Sequence, residues 1–203
     1  MSAAPPSQVA AVVLAAGLSR RMGADNKLLL DMGGKPLLRW AGEAAAGSKA
    51  SQLIVVTGHQ STKVRDVVAD LDPQFVENPD YADGLGTSVA AGVAALGPGV
   101  DAVLVVLGDM PTLTATDLDR LIASFDPENG REIVVPVVDG KRGNPVLWGQ
   151  RFFPDLCDLD GDQGGRALIS ENADAVVKVE MGAGIRLDVD TPQALAAARA
   201  HHD

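Results

Sequence analysis

The stretch Val9–Lys27, VAAVVLAAGLSRRMGADNK, constrains the fold of this chain more than any other. Val9 to Leu14 is a short, Val-rich apolar run, of the length of a strand buried on both faces. Ala15, Ala16 and Gly17 then strip the chain of bulky side chains, and Ser19, Arg20, Arg21, Gly23 and Lys27 follow. A bare backbone after a strand lets a ligand approach closely, and its N–H groups can turn toward phosphate oxygens. Arg20, Arg21 and Lys27 supply the positive charge that a triphosphate requires. The segment reads as a nucleotide-phosphate loop. It is neither a Walker A loop, since no G-x-x-x-x-G-K-[ST] occurs, nor a dinucleotide fingerprint, since no G-x-G-x-x-G occurs. A strand, a glycine turn and a solvated basic surface is the alternative reading for AAG alone.

Apolar runs and helical patterns alternate along the rest of the chain. Pro36 opens a helix with Leu37, Leu38, Ala41, Ala44 and Ala45 on one face. Gln52–Val56 is a second strand, and Ser61 reads as the N-cap of a helix reaching about Leu71. A short strand is expected near Gln74–Glu77, and Asn78, Pro79 and Asp80 make a turn. Gly84 to Ser88 leads into a helix, a second Gly-rich segment before a helix N-terminus. Asp101–Leu107 is the most hydrophobic strand and so central, and Thr114 caps the helix after it.

Glu132–Val138, the turn Asp139-Gly140 and Asn144–Trp148 form a hairpin whose second arm is the one reversed strand. Gly149–Leu156 reads as a short helix, Gly161–Arg166 as a polar turn before another, and Ala175–Val179 and Ile185–Val189 close the sheet. Asp190-Thr191-Pro192 starts the last helix. The alternation predicts an α/β fold with a mostly parallel sheet and helices on both faces. Ligands on such sheets bind at the carboxyl ends of strands, where the first loop, the turn after Leu107 and the one after Val189 all fall.

Composition narrows the partners. The 203 residues suit one domain, 8–203, behind a frayed tail, 1–7. A formal charge of −10 argues against a nucleic-acid partner but leaves room for a nucleotide, which needs only a local cluster of cations. The single Cys157 excludes an internal disulfide framework. No apolar run has membrane-spanning length, and MSAAPPS lacks the charged and apolar regions of a signal peptide, so the expected location is cytoplasmic.

LAAGLSRRMGADNKLLL followed by GGKPLL closely resembles the signature of MobA-like NTP transferases. Within that superfamily the chain looks most like the molybdenum cofactor cytidylyltransferase branch, and the resemblance runs from Gln8 to about Ala198. It implies a single-domain, three-layer α/β/α, Rossmann-like fold of the nucleotide-diphospho-sugar transferase kind. It also implies Mg²⁺-dependent nucleotidyl transfer from CTP, or another NTP, to molybdopterin, with release of pyrophosphate; a receiving molybdoenzyme is a further possible partner.

The residues follow the same resemblance. Leu14, Ala15, Ala16, Gly17, Arg21 and Lys27 would hold the phosphates, and Gly86, Thr87 and Ser88 the base and ribose. Arg21, Lys27 and Asp109 would be catalytic. Asp109, in the string GDMP, and Asp190, in LDVDTP, would carry the metal, with Asp188 in support; a turn or helix-cap aspartate is the plainer reading of Asp109 and Asp190. Asn144 and Arg166 would face the acceptor, although Asn144 stands where many cytidylyltransferase-like members have His, and a structural ion pair remains open for Arg166. Two enzyme alternatives stay open, a guanylyltransferase for the same cofactor and a sugar-phosphate nucleotidyltransferase. So does a nucleotide- or cofactor-binding chaperone.

Overall fold

The computed structural model describes residues 7–19, 26–161, 165–182 and 185. Arg20, Arg21, Asp188, Asp190, most of the strand expected over Ile185–Val189 and the last helix lie outside the described residues, as does nearly all of the expected tail.

Strand β1, Val9–Ala15, is buried at every position and pairs in parallel with β2, Gln52–Thr57, and β4, Ala102–Leu107. An unbroken run of small aliphatics suits this central place, because both faces of the strand are covered. β3, Gln74–Glu77, extends the sheet in parallel beyond β2. On the other side β7, Val146–Gly149, runs antiparallel between β4 and β5, Ile133–Val138. β8, Val176–Glu180, pairs in parallel with β5.

Alternation of side chains along β1 sorts the core into two layers. Val9, Ala11, Val13 and Ala15 point to one face, where they meet α1, Leu37–Ala46, α2, Ser61–Val68, and α4, Ala115–Ala123, through Leu38, Val64, Leu118 and neighbours. Val12 and Leu14 point to the other, against α3, Leu85–Ala94, α5, Phe153–Cys157, and α6, Arg166–Glu171. The result is the expected three-layer α/β/α architecture. α4 begins on a full capping box, with Thr114 Oγ1 accepting from Asp117 N at 3.2 Å and the Asp117 carboxylate accepting from Thr114 N at 3.1 Å.

Three expectations are corrected in detail. The reversed arm is not one strand over Asn144–Trp148. It is a two-residue β6, Lys141–Arg142, paired with β5 beyond the Asp139-Gly140 turn, and then β7. Gly143 N donates to Pro136 O at 3.0 Å, and Pro145, which has no N–H, falls in the gap between the two pieces. Ser61 is the first helical residue of α2 rather than its cap, and its hydroxyl donates to Thr57 Oγ1 at 3.0 Å. The helix expected over Gly149–Leu156 is a 3₁₀ turn, Gln150–Phe152, followed by α5, which leaves Cys157 exposed as a free thiol.

Candidate nucleotide-binding cleft

The carboxyl ends of β1 and β4 are drawn together by a glycine. Gly108 N donates to Leu14 O at 3.0 Å, and a Cβ on Gly108 would stand 2.8 Å from that same oxygen. A side chain there would push β4 away, and Asp109, the next residue, would leave the mouth of the first loop. As built, Asp109 is 8 % exposed and its carboxylate pairs with the Lys27 ammonium, from the far end of that loop.

A half-buried Ser19 and a buried Asn26 hold the ends of the loop. Ser19, at φ 53°, accepts from Lys27 N at 3.0 Å and donates to Asn26 Oδ1 at 3.3 Å. Asn26, 3 % exposed, also accepts from Leu28 N at 3.1 Å, which caps the 3₁₀ turn Lys27–Leu29. Lys27 is thereby fixed at the start of a turn and directed back at β4.

These parts surround a cleft of about 500 Å³. Ala16 to Ser19 and Lys27 form one wall, Leu107 to Asp109 part of another, and Tyr81 to Leu85 with Ser88 the side opposite. Leu14 also lines it, whereas Ala15 is fully buried in the core on the α1 side of the sheet. Asp109, Lys27, Gly17 and Ser88 therefore share one space, as the strand order requires of residues at the carboxyl ends of β1 and β4 and at the start of α3.

Gly86, Thr87 and Ser88 lie within the first turn of α3, not before it, and their roles differ. Ser88 lines the cleft. Thr87 Oγ1 lies within hydrogen-bonding distance of the carbonyls of Gly84, at 2.9 Å, and Asp80, at 3.0 Å. Gly86 N donates to Gly161 O at 2.8 Å, and a Cβ on Gly86 would meet the Asp160 carbonyl oxygen at 2.6 Å. The start of α3 is thus pressed against the chain that leads to the second cavity.

Asn78 organises this wall, although in the sequence it reads only as a turn residue. It is 2 % exposed, donates to Thr87 Oγ1 at 2.9 Å and Ser88 Oγ at 3.0 Å, and accepts from Asp80 N at 3.0 Å. Tyr81 packs its ring near His59, with centroids 6.2 Å apart. Neither ring carried a periodic or motif signal.

Asn144 and Arg166 come together in a second cavity of about 350 Å³, which shares Leu85 and Leu107 with the first. The residues expected on the acceptor side are thus next to those expected on the nucleotide side. Arg142, from β6, also lines it.

Among the described residues no cluster of three or more His, Cys, Asp and Glu side chains forms. The cleft nonetheless holds the carboxyl-bearing Asp109 and Asp83. Hard oxygen donors in that number fit a Mg²⁺ or Mn²⁺ ion that keeps waters and takes its remaining ligands from phosphates.

Residues 11–176 match the MobA-like NTP transferase domain. The chain is 30 % identical over 169 residues to nicotine blue oxidoreductase of Paenarthrobacter nicotinovorans, covering 80 % of this chain and 82 % of that one. It is 31 % identical over 193 residues to purine catabolism protein PucB of Bacillus subtilis, covering 90 % and 91 %. Among solved structures, Rv0371c of Mycobacterium tuberculosis in complex with manganese superposes with a TM-score of 0.81 at 26 % identity, over 96 % of this chain and 99 % of that one. A divalent metal thus accompanies this fold in a relative.

Proposed function

On the premise that this chain belongs to the MobA-like NTP transferase family, we propose that it moves a cytidylyl group from CTP to the terminal phosphate of molybdopterin. The products would be molybdopterin cytosine dinucleotide and pyrophosphate. The observation that carries the reading is the Lys27–Asp109 pair at the mouth of a cleft walled by the backbone of Ala16, Gly17 and Gly108.

In the transfer an acceptor phosphate oxygen attacks the α-phosphorus, and the bond from that phosphorus to the bridging oxygen of the β-phosphate breaks. Both partners are anions, so the protein must align them and stabilise charge on the departing pyrophosphate. Lys27, with Arg21, is assigned to the phosphate oxygens. The backbone of Leu14 and of Ala16–Gly17 admits the nucleotide without steric bulk, and Ser88, with Gly86 and Thr87 behind it, bounds the base and ribose. Asp109 would hold a Mg²⁺ ion with Asp190, and that ion would neutralise developing negative charge on the phosphates. Asn144 and Arg166 are assigned to the acceptor. The Ala15-Ala16 pair in the loop is the reason for favouring CTP.

The test is a panel of CTP, GTP, ATP and UTP with Mg²⁺, scored by pyrophosphate release with no acceptor, with molybdopterin and with a sugar phosphate. Release that needs both CTP and molybdopterin supports the reading. Release with GTP makes the protein a guanylyltransferase, release only with a sugar phosphate moves it to that class, and nucleotide binding without release makes it a carrier. The 30 % identity to an enzyme named nicotine blue oxidoreductase favours one other reading, reduction or oxidation of a flat dye-like substrate. A nicotinamide-dependent absorbance change in place of pyrophosphate release would establish it.

A further inference from the structure

Paired and unpaired arginines are segregated in this fold. Arg39, Arg65 and Arg151 meet the carboxylates of Asp70, Glu77 and Glu132, and Arg120 donates to the Glu180 carbonyl. Among the described residues, Arg131 and Arg142 make no side-chain hydrogen bond or ion pair, and neither does Lys178. These three cations line one cavity of about 510 Å³, at the sheet edge where β8 pairs with β5. It lies apart from the nucleotide cleft and shares only Arg142 with the cavity that holds Asn144 and Arg166.

Pairing register puts the charges on one face. Arg142 stands opposite Val137, Lys178 opposite Val135 and Val176 opposite Ile133. Residues 133, 135 and 137 alternate to the same side of the sheet, so Arg142, Lys178 and Val176 share that side. Arg131, two residues before Ile133, also reaches the cavity. At about 3.3 Å per residue the three charges are spread along about 20 Å of strand. Between them the floor is Ala173, Val176 and Val177. The described lining includes no carboxylate, hydroxyl or amide side chain, and Glu180, across Val137 from Arg142 in the register, is ion-paired with none of the three cations.

Like charges gathered without counter-charges repel one another, and a chain of net charge −10 has carboxylates to spare for pairing them. Leaving all three exposed and unpaired suits an anionic partner. A lone phosphate is gripped where donors converge on one point, as at backbone N–H groups or bidentate guanidiniums. Here the donors are long side chains strung along an apolar floor. A row of carboxylates on an extended chain matches both the length and the floor.

We propose that this edge face docks an extended acidic segment of a partner protein. Carboxylates spaced along the segment meet Arg131, Lys178 and Arg142, and its small apolar side chains rest on Ala173, Val176 and Val177. Because Arg142 borders both cavities, the segment docks beside the acceptor side without entering the nucleotide cleft. None of this rests on the nucleotidyl-transfer reading.

The experiment uses the full chain and a fluorescein-labelled (Asp-Ala)₄ peptide, read by anisotropy. Expected is saturable binding that weakens at least about tenfold when salt is raised about tenfold, and at least about tenfold in the double variant Arg131→Glu/Lys178→Glu. Lys49→Glu/Lys63→Glu, at exposed positions elsewhere, makes the same change in net charge and should alter the affinity less than about twofold. In ¹⁵N–¹H spectra of the parent, the peptide should move the backbone amides of Val176, Val177 and Lys178. No saturable binding, equal weakening in the two double variants, unmoved amides on β8, or displacement of the peptide by equimolar tripolyphosphate or by MgCTP each overturns the proposal. Failure of the nucleotidyl-transfer reading shows separately, as absence of pyrophosphate release from any NTP.

Discussion

Asp109→Asn keeps the shape of the side chain and removes its charge, and its effects on binding and on turnover should have opposite signs. The carboxylate sits beside the Lys27 ammonium with the two side chains 12 % and 16 % exposed. That lies between a surface pair, worth at most about 1 kcal/mol, and a fully buried one, whose breaking costs about 3–5 kcal/mol. The variant should lose about 1–3 kcal/mol of stability and remain folded. A metal-free triphosphate entering the cleft meets a repulsive carboxylate as well as an attractive ammonium. Two unit charges about 5 Å apart at an effective dielectric of about 20 repel by about 3 kcal/mol, which solvent and salt reduce further. Metal-free CTP should therefore bind Asp109→Asn about tenfold more tightly, an effect of about 1.4 kcal/mol. Turnover with Mg²⁺ should fall on the order of a hundredfold or more, because a ligand of the ion is gone. Lys27→Met should weaken metal-free CTP instead. Calorimetry in EDTA reads the first quantity and pyrophosphate release with Mg²⁺ the second. If Asp109→Asn weakens metal-free CTP as Lys27→Met does, or turns over normally at limiting Mg²⁺, the electrostatic account of the pair is wrong.

Asn78→Ala removes a side chain with three hydrogen bonds to Thr87, Ser88 and Asp80, so urea unfolding should show a loss of about 1–3 kcal/mol and steady-state assays a several-fold higher KM for the nucleotide. Thr114→Ala removes the hydroxyl half of the capping box and should cost about 1 kcal/mol in the same titration while leaving KM unchanged. Hydrogen bonds from Arg39 first, and Lys35 second, hold the Glu43 carboxyl below its ordinary pKa. A lowered folded-state pKa gives stability above the unfolded value of about 4.3 that disappears as pH falls through the folded one. Glu43→Gln should therefore be less stable than the parent by under about 1 kcal/mol at neutral pH, since the side chain is 40 % exposed, and in an acid denaturation series the difference should start to shrink below the unfolded value of about 4.3 and vanish once pH passes below the folded one.

The parts of the fold that could be read in advance were those set by local pattern. β1 and β4 are uninterrupted aliphatic runs, so their central places follow from burial on both faces. Gly17, Lys27 and Asp109 meet because the ends of parallel strands meet. What the sequence hid depends on partners far along the chain. Asn78 looks like a turn residue until its amide is seen to reach Thr87 and Ser88 on α3. Ser61 has the right type for a cap, yet Thr57 is near enough to take its hydroxyl. Arg142 carries no motif, and its place at the second cavity follows only from the hairpin that breaks at Gly143–Pro145. Asp190 and Arg21 have motif support alone.

One part of the wall of the nucleotide cleft is nearly bare main chain: Ala16, Gly17, Gly84 and Gly108 offer almost no side-chain atoms to a base or ribose. A surface of that kind has few handles for point substitution. Exchanging one side chain for another retunes a pocket only where side chains touch the guest, and adding one here fills the space the guest needs. Lineages that diverge in nucleobase preference on this scaffold should therefore differ in loop length, through insertions and deletions around residues 80–86, more than in residue identity. Laboratory libraries that vary the length of that segment should shift base preference sooner than saturation mutagenesis of the strand ends.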